Sequence, residues 1–541
     1  MCALDRTKLY AIDSDEVDPG RKKRVLPQRL AVSPYGMAAS AHFRATEAAS
    51  HILETGGNAV DAAVAAAFAL GVCEPAASGF GGQTMMLVYE TENHRTFALD
   101  GSSRAPNRAT PDRLSRKEQL HGYTATTVPS TPAVLGYALE RHGTFALPAV
   151  LEPSIRLAEE GFVVSELQHY LAKRELRSLR KGNAGLFHLK NGEKPFPIGA
   201  TVQQPVLART LKRLAREGIE DFYTGHIARQ IHQDMQRNHG LLHRDDLAQI
   251  PWPIERKPIS CRFEGIRLLT FPEPGAGRTL IQMLNILSHI PEKQRDPDKT
   301  RGSILLAEVI RRANVDRRDR PFDPNFYPQI DDRRMLSADY AQLVARQVTR
   351  RVRSRGETTH LSVMDRYGNV VALTQSIERV YGAFTATPSL GFLYNNYMSA
   401  FEYEDITHPY YLRPNAVPWA SVAPTIVFKG RRPWAAVGSP GSERITSSIL
   451  QVLLRLLAGQ SPLAAVEAPR LHCALSGKVS LEASRMRNDL PQALERRGYT
   501  VDIRDPYSFY LGCVQLVVRE KKTFIGAADP RRDGAASGPG K

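Results

Sequence analysis

The chain has 541 residues, 42% hydrophobic and 24% charged, the balance of a soluble globular protein with room for one large core or two to three ordinary domains. No apolar run approaches the roughly 20 residues of a bilayer-spanning helix: the longest, Ala62 to Cys73, stops at Glu74-Pro75, and no apolar segment follows the basic run Arg21-Lys22-Lys23-Arg24 as a secretion signal requires. The net charge of +16 raises the question of a nucleic-acid partner, but the arginines are scattered without an aromatic-basic stripe, so a solvated basic surface that draws in anionic small molecules is expected, with neither nucleic acid nor membrane as partner.

Residues 1–30 read as a loosely ordered arm, poor in apolar periodicity. Residues 43–55 read as a helix stopped by Gly56-Gly57. Asn58 or Asp61 then caps a second helix, apolar on nearly every face and therefore buried. Ser78-Gly79-Phe80-Gly81-Gly82 is a turn, and 84–90 and 96–100 are β-like. Residues 130–320 read as mostly helical, with a helix near 279–287 after the Pro272–Gly277 loop. Residues 336–357 carry five arginines and read as polar and exposed near their end. Beyond them 359–365 and 370–377 are β-like, with Tyr367-Gly368-Asn369 as a hairpin turn. Further strands are expected at 390–394, 424–428 and 433–437, and an amphipathic helix at 443–458. Residues 529–541, rich in Gly, Ala, Arg and Pro, read as disordered. The pattern is α+β, helices flanking antiparallel strands in layers.

The common catalytic signatures are absent: no G-x-S-x-G, no H-E-x-x-H, no phosphate loop and no dinucleotide fingerprint. The glycines at 79, 81 and 82 lead into a strand, not a helix. Five widely spaced cysteines, at 2, 73, 261, 473 and 513, make neither a metal pattern nor a disulfide framework. No cofactor or metal is expected, and a cytoplasmic location is the default. What remains is Glu357-Thr358-Thr359-His360 at the head of a strand. A mid-chain Thr hydroxyl lacks a base. A Thr at a chain N-terminus carries its own, an α-amine with pKa about 7.7–8.0. Thr358 is thus either a structural strand residue or, if the Glu357–Thr358 bond breaks, a self-activated nucleophile.

Several ordered segments decide between these. They are Ala45-Thr46-Glu47-Ala48-Ala49, Gly56-Gly57-Asn58-Ala59-Val60-Asp61-Ala62-Ala63, Ser78-Gly79-Phe80-Gly81-Gly82, Leu151-Glu152-Pro153-Ser154, Asp365-Arg366-Tyr367-Gly368-Asn369, Pro424-Thr425-Ile426 and Gly438-Ser439-Pro440-Gly441. Together they resemble the γ-glutamyltransferase family of N-terminal-nucleophile hydrolases over roughly residues 30–525. The resemblance implies an αββα sandwich shared by two chains of one precursor, a large chain ending at Glu357 and a small chain of 358–541. It implies Thr358 as nucleophile, Ser376 as its supporting hydroxyl and the backbone N–H groups of Gly441 and Ser442 as oxyanion hole. The substrate would be a γ-glutamyl or related amide and the acceptor water or an amine, with the two chains as a heterodimer.

The substrate clamp departs from the family pattern. Ser102 stands at the place of the carboxylate-binding Arg, with Arg104 two residues on. In Asn395-Asn396-Tyr397-Met398-Ser399-Ala400-Phe401, Ala400 stands at the place of the acid that binds the substrate amine, with Glu402 nearby. Ala420 replaces one carboxylate-binding Ser, and Ser421 keeps the other. Glu378 replaces an Asn found in many members. Tyr397 belongs to the same binding wall. Either Arg104 and Glu402 rebuild the clamp from shifted positions, or the acyl group differs. The lid from 402 to 417 carries Tyr403, Tyr410 and Tyr411, which either cover a larger acyl group or pack as core.

Overall fold

The computed structural model describes residues 27–115, 117–250, 253–319, 337 and 357–540. Its centre is two seven-stranded antiparallel sheets. Their strands, in chain order, are β1 (Leu30–Ser33), β2 (Gly36–Ser40), β3 (Gln83–Glu90), β4 (Arg95–Gly101), β5 (Ile254–Arg256), β6 (Ile259–Phe263) and β7 (Ile266–Thr270). The second half supplies β8 (Glu357–Asp365), β9 (Val370–Glu378), β10 (Thr425–Lys429), β11 (Arg432–Gly438), β12 (Gln515–Glu520), β13 (Thr523–Ala528) and β14 (Ala535–Ser537). One sheet runs β14-β2-β8-β9-β3-β4-β5, the other β1-β13-β12-β11-β10-β7-β6.

The alternation of each strand sorts its side chains into layers. On β8, Leu361 and Val363 join a core with the helices α1 (Phe43–Glu54) and α2 (Ala59–Cys73). Met364 faces the opposite way, into a core between the sheets with Met37, Met85, Ile426, Phe428 and Val517. A third core lies under helices Gly277–Ser288, Thr300–Asp319 and Arg444–Leu457, on the outer face of the second sheet. The result is the four-layer αββα sandwich. All of α2 is buried, which explains its lack of a polar face. Asn58 caps it, and Asp61 completes a capping box. Asp365 ties this helix to the β8–β9 turn: one oxygen accepts the Ala59 N–H at 2.9 Å, the other those of Tyr367 and Asn369 at 2.9 Å each.

Four expectations need correction. Residues 254–270, taken as part of a helical region, hold β5–β7; their runs are short, and charges at Glu255 and Arg267 alternate with apolar residues. Residues 390–394 form no ladder strand: Leu393 and Tyr394 make only isolated bridges, to Ala386 and Gly81. The tail 529–541 is not disordered over its described length. β14 pairs with β2, and the Ser33 hydroxyl donates to the Pro539 carbonyl. The tail's charges are paired inside. Arg531 is fully buried and grips Glu482 with two bonds, 2.8 and 2.7 Å, while Asp529 takes an ion pair from Arg470 at 2.6 Å. Residues 27–30 lead into β1 rather than into a loose arm, and 1–26 lie outside the described residues, as does nearly all of 336–356.

Candidate active site

Thr358 sits at the second position of β8, with its side chain on the inter-sheet face, the side to which Ser362 and Met364 also point. Ser362 confirms that orientation by donating to the Gln515 carbonyl of β12. The β8–β9 register shifts beside Thr358: Glu357 pairs with Glu378, but Thr359 with Gln375. β9 therefore carries one extra residue opposite Thr358, a bulge of the kind that re-aims side chains. Glu378 absorbs it with φ +74°, and its N–H donates to the Ser376 hydroxyl at 2.9 Å. Thr358 Oγ1 donates to the same hydroxyl at 3.4 Å. Thr358 and Ser376 are both buried. Gly82 stands behind Ser376, where a Cβ would meet its carbonyl oxygen at 2.3 Å.

Tyr397 closes this side. Its ring is fully buried, which pushes the phenol's ionisation far up, and the nearby Glu378 carboxylate adds to that. Its hydroxyl lies against Ser376 and Gln83. Gln83 in turn accepts from the Ser103 N–H at 2.9 Å and its hydroxyl at 3.0 Å. Asn395 locks the wall: its amide donates to the carbonyls of Gly81 and Thr127, and its oxygen accepts the N–H groups of Thr127 and Tyr397.

The third wall is the turn between β11 and the Arg444–Leu457 helix. Gly441 and Ser442 have φ +118° and +54°. The N–H groups of Arg444 and Ile445 fold back onto their carbonyls at 3.0 Å each, while the N–H groups of Gly441 and Ser442 themselves donate to no backbone carbonyl among the described residues. Two adjacent donors left open are what an oxyanion hole requires. The turn starts at Gly438, whose Cα touches the His360 ring so closely that a Cβ would lie 2.2 Å from it. That contact places the turn at the Thr358 end of β8.

His360 is not a base. Burial holds its pKa down to about 3, and its ring nitrogens are satisfied by Thr374 at 2.8 Å and Ser362 at 3.1 Å. Thr359 faces the helices, donating to Glu74 at 2.5 Å, and Arg532 holds Glu74 at 2.7 Å.

The clamp candidates divide. Ser102 donates to Asp100 at 2.5 Å, and Asp100 is paired with Arg256 at 2.6 Å, so this hydroxyl serves β4. Glu402 accepts the N–H groups of Glu404 at 2.8 Å, Tyr403 at 2.9 Å and Asp405 at 3.4 Å. Those bonds hold its carboxyl below the usual range and fix it to its own loop. Arg104 bridges to Val128 and directs Nη1 at the Asn415 carbonyl in the lid, 3.5 Å away. Ser421 accepts from Arg317 at 3.3 Å. The lid tyrosines pack: Tyr403 donates to the Met398 carbonyl at 2.7 Å, Tyr410 stacks on Trp419 and Tyr411 lies under Arg413.

Sequence reasoning missed the Glu74–Arg532 pair, Gln83, Asn395 and Arg317. Glu74-Pro75 was visible only as a helix stop and Asn395 only as a flank of Ala400. The side of Thr359 that matters emerges once the strand's facing is known. Among the described residues no helix is long and apolar enough to cross a membrane, and no three His, Cys, Asp or Glu converge to hold a metal.

The family model described as gamma-glutamyltranspeptidase matches residues 45–539. The glutathione hydrolase proenzyme of Escherichia coli (strain K12) is 32% identical, with 96% of this chain and 93% of that protein covered. The acylase ACY 1 proenzyme of Pseudomonas sp. (strain V22) is 34% identical, with 94% of each covered. Among solved structures, cephalosporin acylase from Bacillus halodurans superposes with a TM-score of 0.87 at 26% identity, covering 97% of this chain and all of that one. The chain belongs to the gamma-glutamyltranspeptidase family of N-terminal-nucleophile hydrolases.

Proposed function

We propose that the chain cuts itself before Thr358 and then hydrolyses or transfers the acyl group of an amide through an ester on Thr358 Oγ. In the precursor, Oγ attacks the Glu357 carbonyl carbon, the C–N bond breaks, and the hydroxyl proton passes to the nitrogen. Water opens the ester and leaves a Glu357 carboxylate and a free Thr358 amine. In turnover that amine takes the Oγ proton, Oγ attacks the substrate carbonyl, and the Gly441 and Ser442 N–H groups hold the oxyanion. The proton then goes to the leaving nitrogen. Water or an amine releases the acyl group. The extra residue of β9 opposite Thr358 supports this reading, because it brings Ser376 Oγ within 3.4 Å of the nucleophile.

The acyl donor we assign is a dicarboxylic acid monoamide that lacks the free α-amino group of a γ-glutamyl donor. A buried ammonium needs a charged partner. Ala400 offers none at the place of the family's acid, and Glu402 is committed to its own loop by three N–H bonds, so a γ-glutamyl ammonium would have to turn to Glu378, whose carboxylate lies near Tyr397. That observation favours acylase chemistry over glutathione hydrolysis. The test compares two chromogenic donors that differ only in the amine, γ-glutamyl-p-nitroanilide and glutaryl-p-nitroanilide. The expected result is a higher kcat/KM for glutaryl. A preference for γ-glutamyl would restore the glutathione hydrolase reading, with Arg104, Glu402 and Glu378 as its clamp.

A further inference from the structure

Arg317 lies on helix Thr300–Asp319, far in sequence from the clamp candidates Arg104, Glu378 and Glu402, yet its guanidinium is buried in the wall that carries Ser421. Three contacts fix it there. Nη2 donates to the Ala420 carbonyl at 2.5 Å, Nη1 donates to the Ser421 hydroxyl at 3.3 Å, and the guanidinium carbon stacks 4.6 Å from the Trp419 ring centre. The charged and titratable groups that face it are Tyr410 from the lid, Glu443 next to Ser442, and the ion-paired Glu273 and Arg278. Burial pulls its pKa down to about 10, against the pull of Tyr410, Glu443 and Glu273.

The direction of the Ser421 bond carries a consequence. A hydroxyl has one proton and two lone pairs. Ser421 Oγ spends a lone pair on the Arg317 N–H, so its own proton points elsewhere. On Trp419, two residues earlier and stacked on the same guanidinium, the indole Nε1 is buried without a hydrogen-bond partner. The Trp419 N–H is therefore a buried donor without an acceptor, and the half-buried Ser421 hydroxyl, polarised by a buried cation, keeps its proton available to an incoming group, in a wall that the family resemblance assigns to substrate binding. A buried N–H without a partner costs free energy unless something fills its need.

We infer that Arg317 is a positioning residue for the acyl pocket: it orients and polarises Ser421 so that the Ser421 hydroxyl, together with the Trp419 N–H, receives the remote carboxylate of the acyl donor. The inference rests on the amide-hydrolase reading above and extends it. It gives the pocket a cation that acts through a neutral donor, in place of the direct Arg that Ser102 replaces. It also makes recognition depend on both halves of the chain, since Arg317 lies before the cut at Thr358 and Ser421 after it.

The experiment uses the processed enzyme and two donors, glutaryl-p-nitroanilide and its neutral counterpart pentanoyl-p-nitroanilide. Arg317→Gln is expected to raise KM for the glutaryl donor about 10- to 100-fold, the span of a lost charge-assisted hydrogen bond, with kcat nearly unchanged and the neutral donor unaffected. In a Ser421→Ala background the same change is expected to add nothing, because the two act as one unit. Trp419→Phe, which keeps the ring but not the N–H, should raise KM for the glutaryl donor alone. Equal losses on both donors, or full additivity of Arg317→Gln with Ser421→Ala, would overturn the inference. Where Arg317→Gln fails to yield a Thr358 N-terminus, Arg317→Lys supplies the comparison: it keeps the charge and should recover most of the KM. If the wild-type enzyme prefers γ-glutamyl to glutaryl donors, the acylase reading falls; the Arg317 inference is then judged by the same substitutions on γ-glutamyl-p-nitroanilide, which carries the same carboxylate.

Discussion

Arg532→Met isolates the device that holds the strand beneath Thr358. The Arg532 guanidinium lies 2.7 Å from Glu74, with side chains only 1% and 11% exposed. At an effective dielectric of about 20, that separation corresponds to about 6 kcal/mol of attraction, and most of it is offset by desolvation of the two charges. Removing one partner of such a buried pair costs about 3–5 kcal/mol, because the other is left uncompensated. Burial already pushes the Glu74 carboxyl up, opposed first by Arg532 and then by the Thr359 hydroxyl. Without Arg532 the carboxyl takes up a proton, and its 2.5 Å bond from Thr359 loses its charge assistance. Thr359, next to Thr358, is then loosely held, and the proposed self-cleavage should slow. Stability is best read by urea unfolding in a Thr358→Ala background, where the chain stays whole, and processing by the time course of the new Thr N-terminus. Glu74→Gln with Arg532→Met removes both charges while keeping an acceptor for Thr359, and should recover at least half of the loss. A cost below about 1 kcal/mol for Arg532→Met, or a double variant as unstable as the two single changes summed, would refute the reasoning.

Three further outcomes are expected. His42, His360 and His472 are buried with pKa held at about 4, 3 and 3, burial being the main cause in each. The unfolded chain titrates them near 6.5, so below that pH it binds protons that the folded chain does not. Stability should be fully present above pH 6.5 and fall between 6.5 and 5 by up to about 1.4 kcal/mol per pH unit for each histidine. A urea midpoint that does not fall across that window would contradict it. Gly438→Ala drives a Cβ to 2.2 Å from the His360 ring, a rigid neighbour pinned by Thr374 and Ser362. It should cost about 1–3 kcal/mol and displace the Gly441-Ser442 turn, seen as slower appearance of the small chain on denaturing gels; normal processing at normal stability would argue against the placement of that turn. Glu402→Gln removes the charge that the lid N–H groups favour, and should loosen the 402–417 lid to proteolysis while leaving kcat on glutaryl-p-nitroanilide within about threefold. A selective collapse of turnover would instead mean that Glu402 touches the substrate.

Much of this was legible before the structure. The helix stop at Gly56-Gly57, the Asn58 cap, the all-apolar α2 and the β8–β9 hairpin follow from local rules that tertiary packing does not override, and the structure has them at those positions. The tail was misread because composition cannot distinguish solvated arginines from arginines paired in the interior: Arg531 finds Glu482, 49 residues away in sequence. β5–β7 were missed because three strands of three to five residues give too short a window for a period-2 signal. The clamp shows the same limit at the site. Ser102 and Glu402 have the right chemistry and near-right positions, yet a neighbouring Asp100 and a turn of backbone N–H groups claim them first. Hydrogen-bond competition of that kind is settled by angles and distances, not by residue type.

The central claim is that Thr358 becomes a chain N-terminus and carries the acyl group. Intact-mass analysis of the purified protein, before and after a brief acid quench with the glutaryl donor, tests it directly. The account predicts two chains, the smaller starting at Thr358 and holding 184 residues when the C-terminus is whole (541 − 357), and that chain alone gaining the mass of one acyl group in the quenched sample. A single uncut chain, a new N-terminus elsewhere, or an acyl adduct on the larger chain would contradict it.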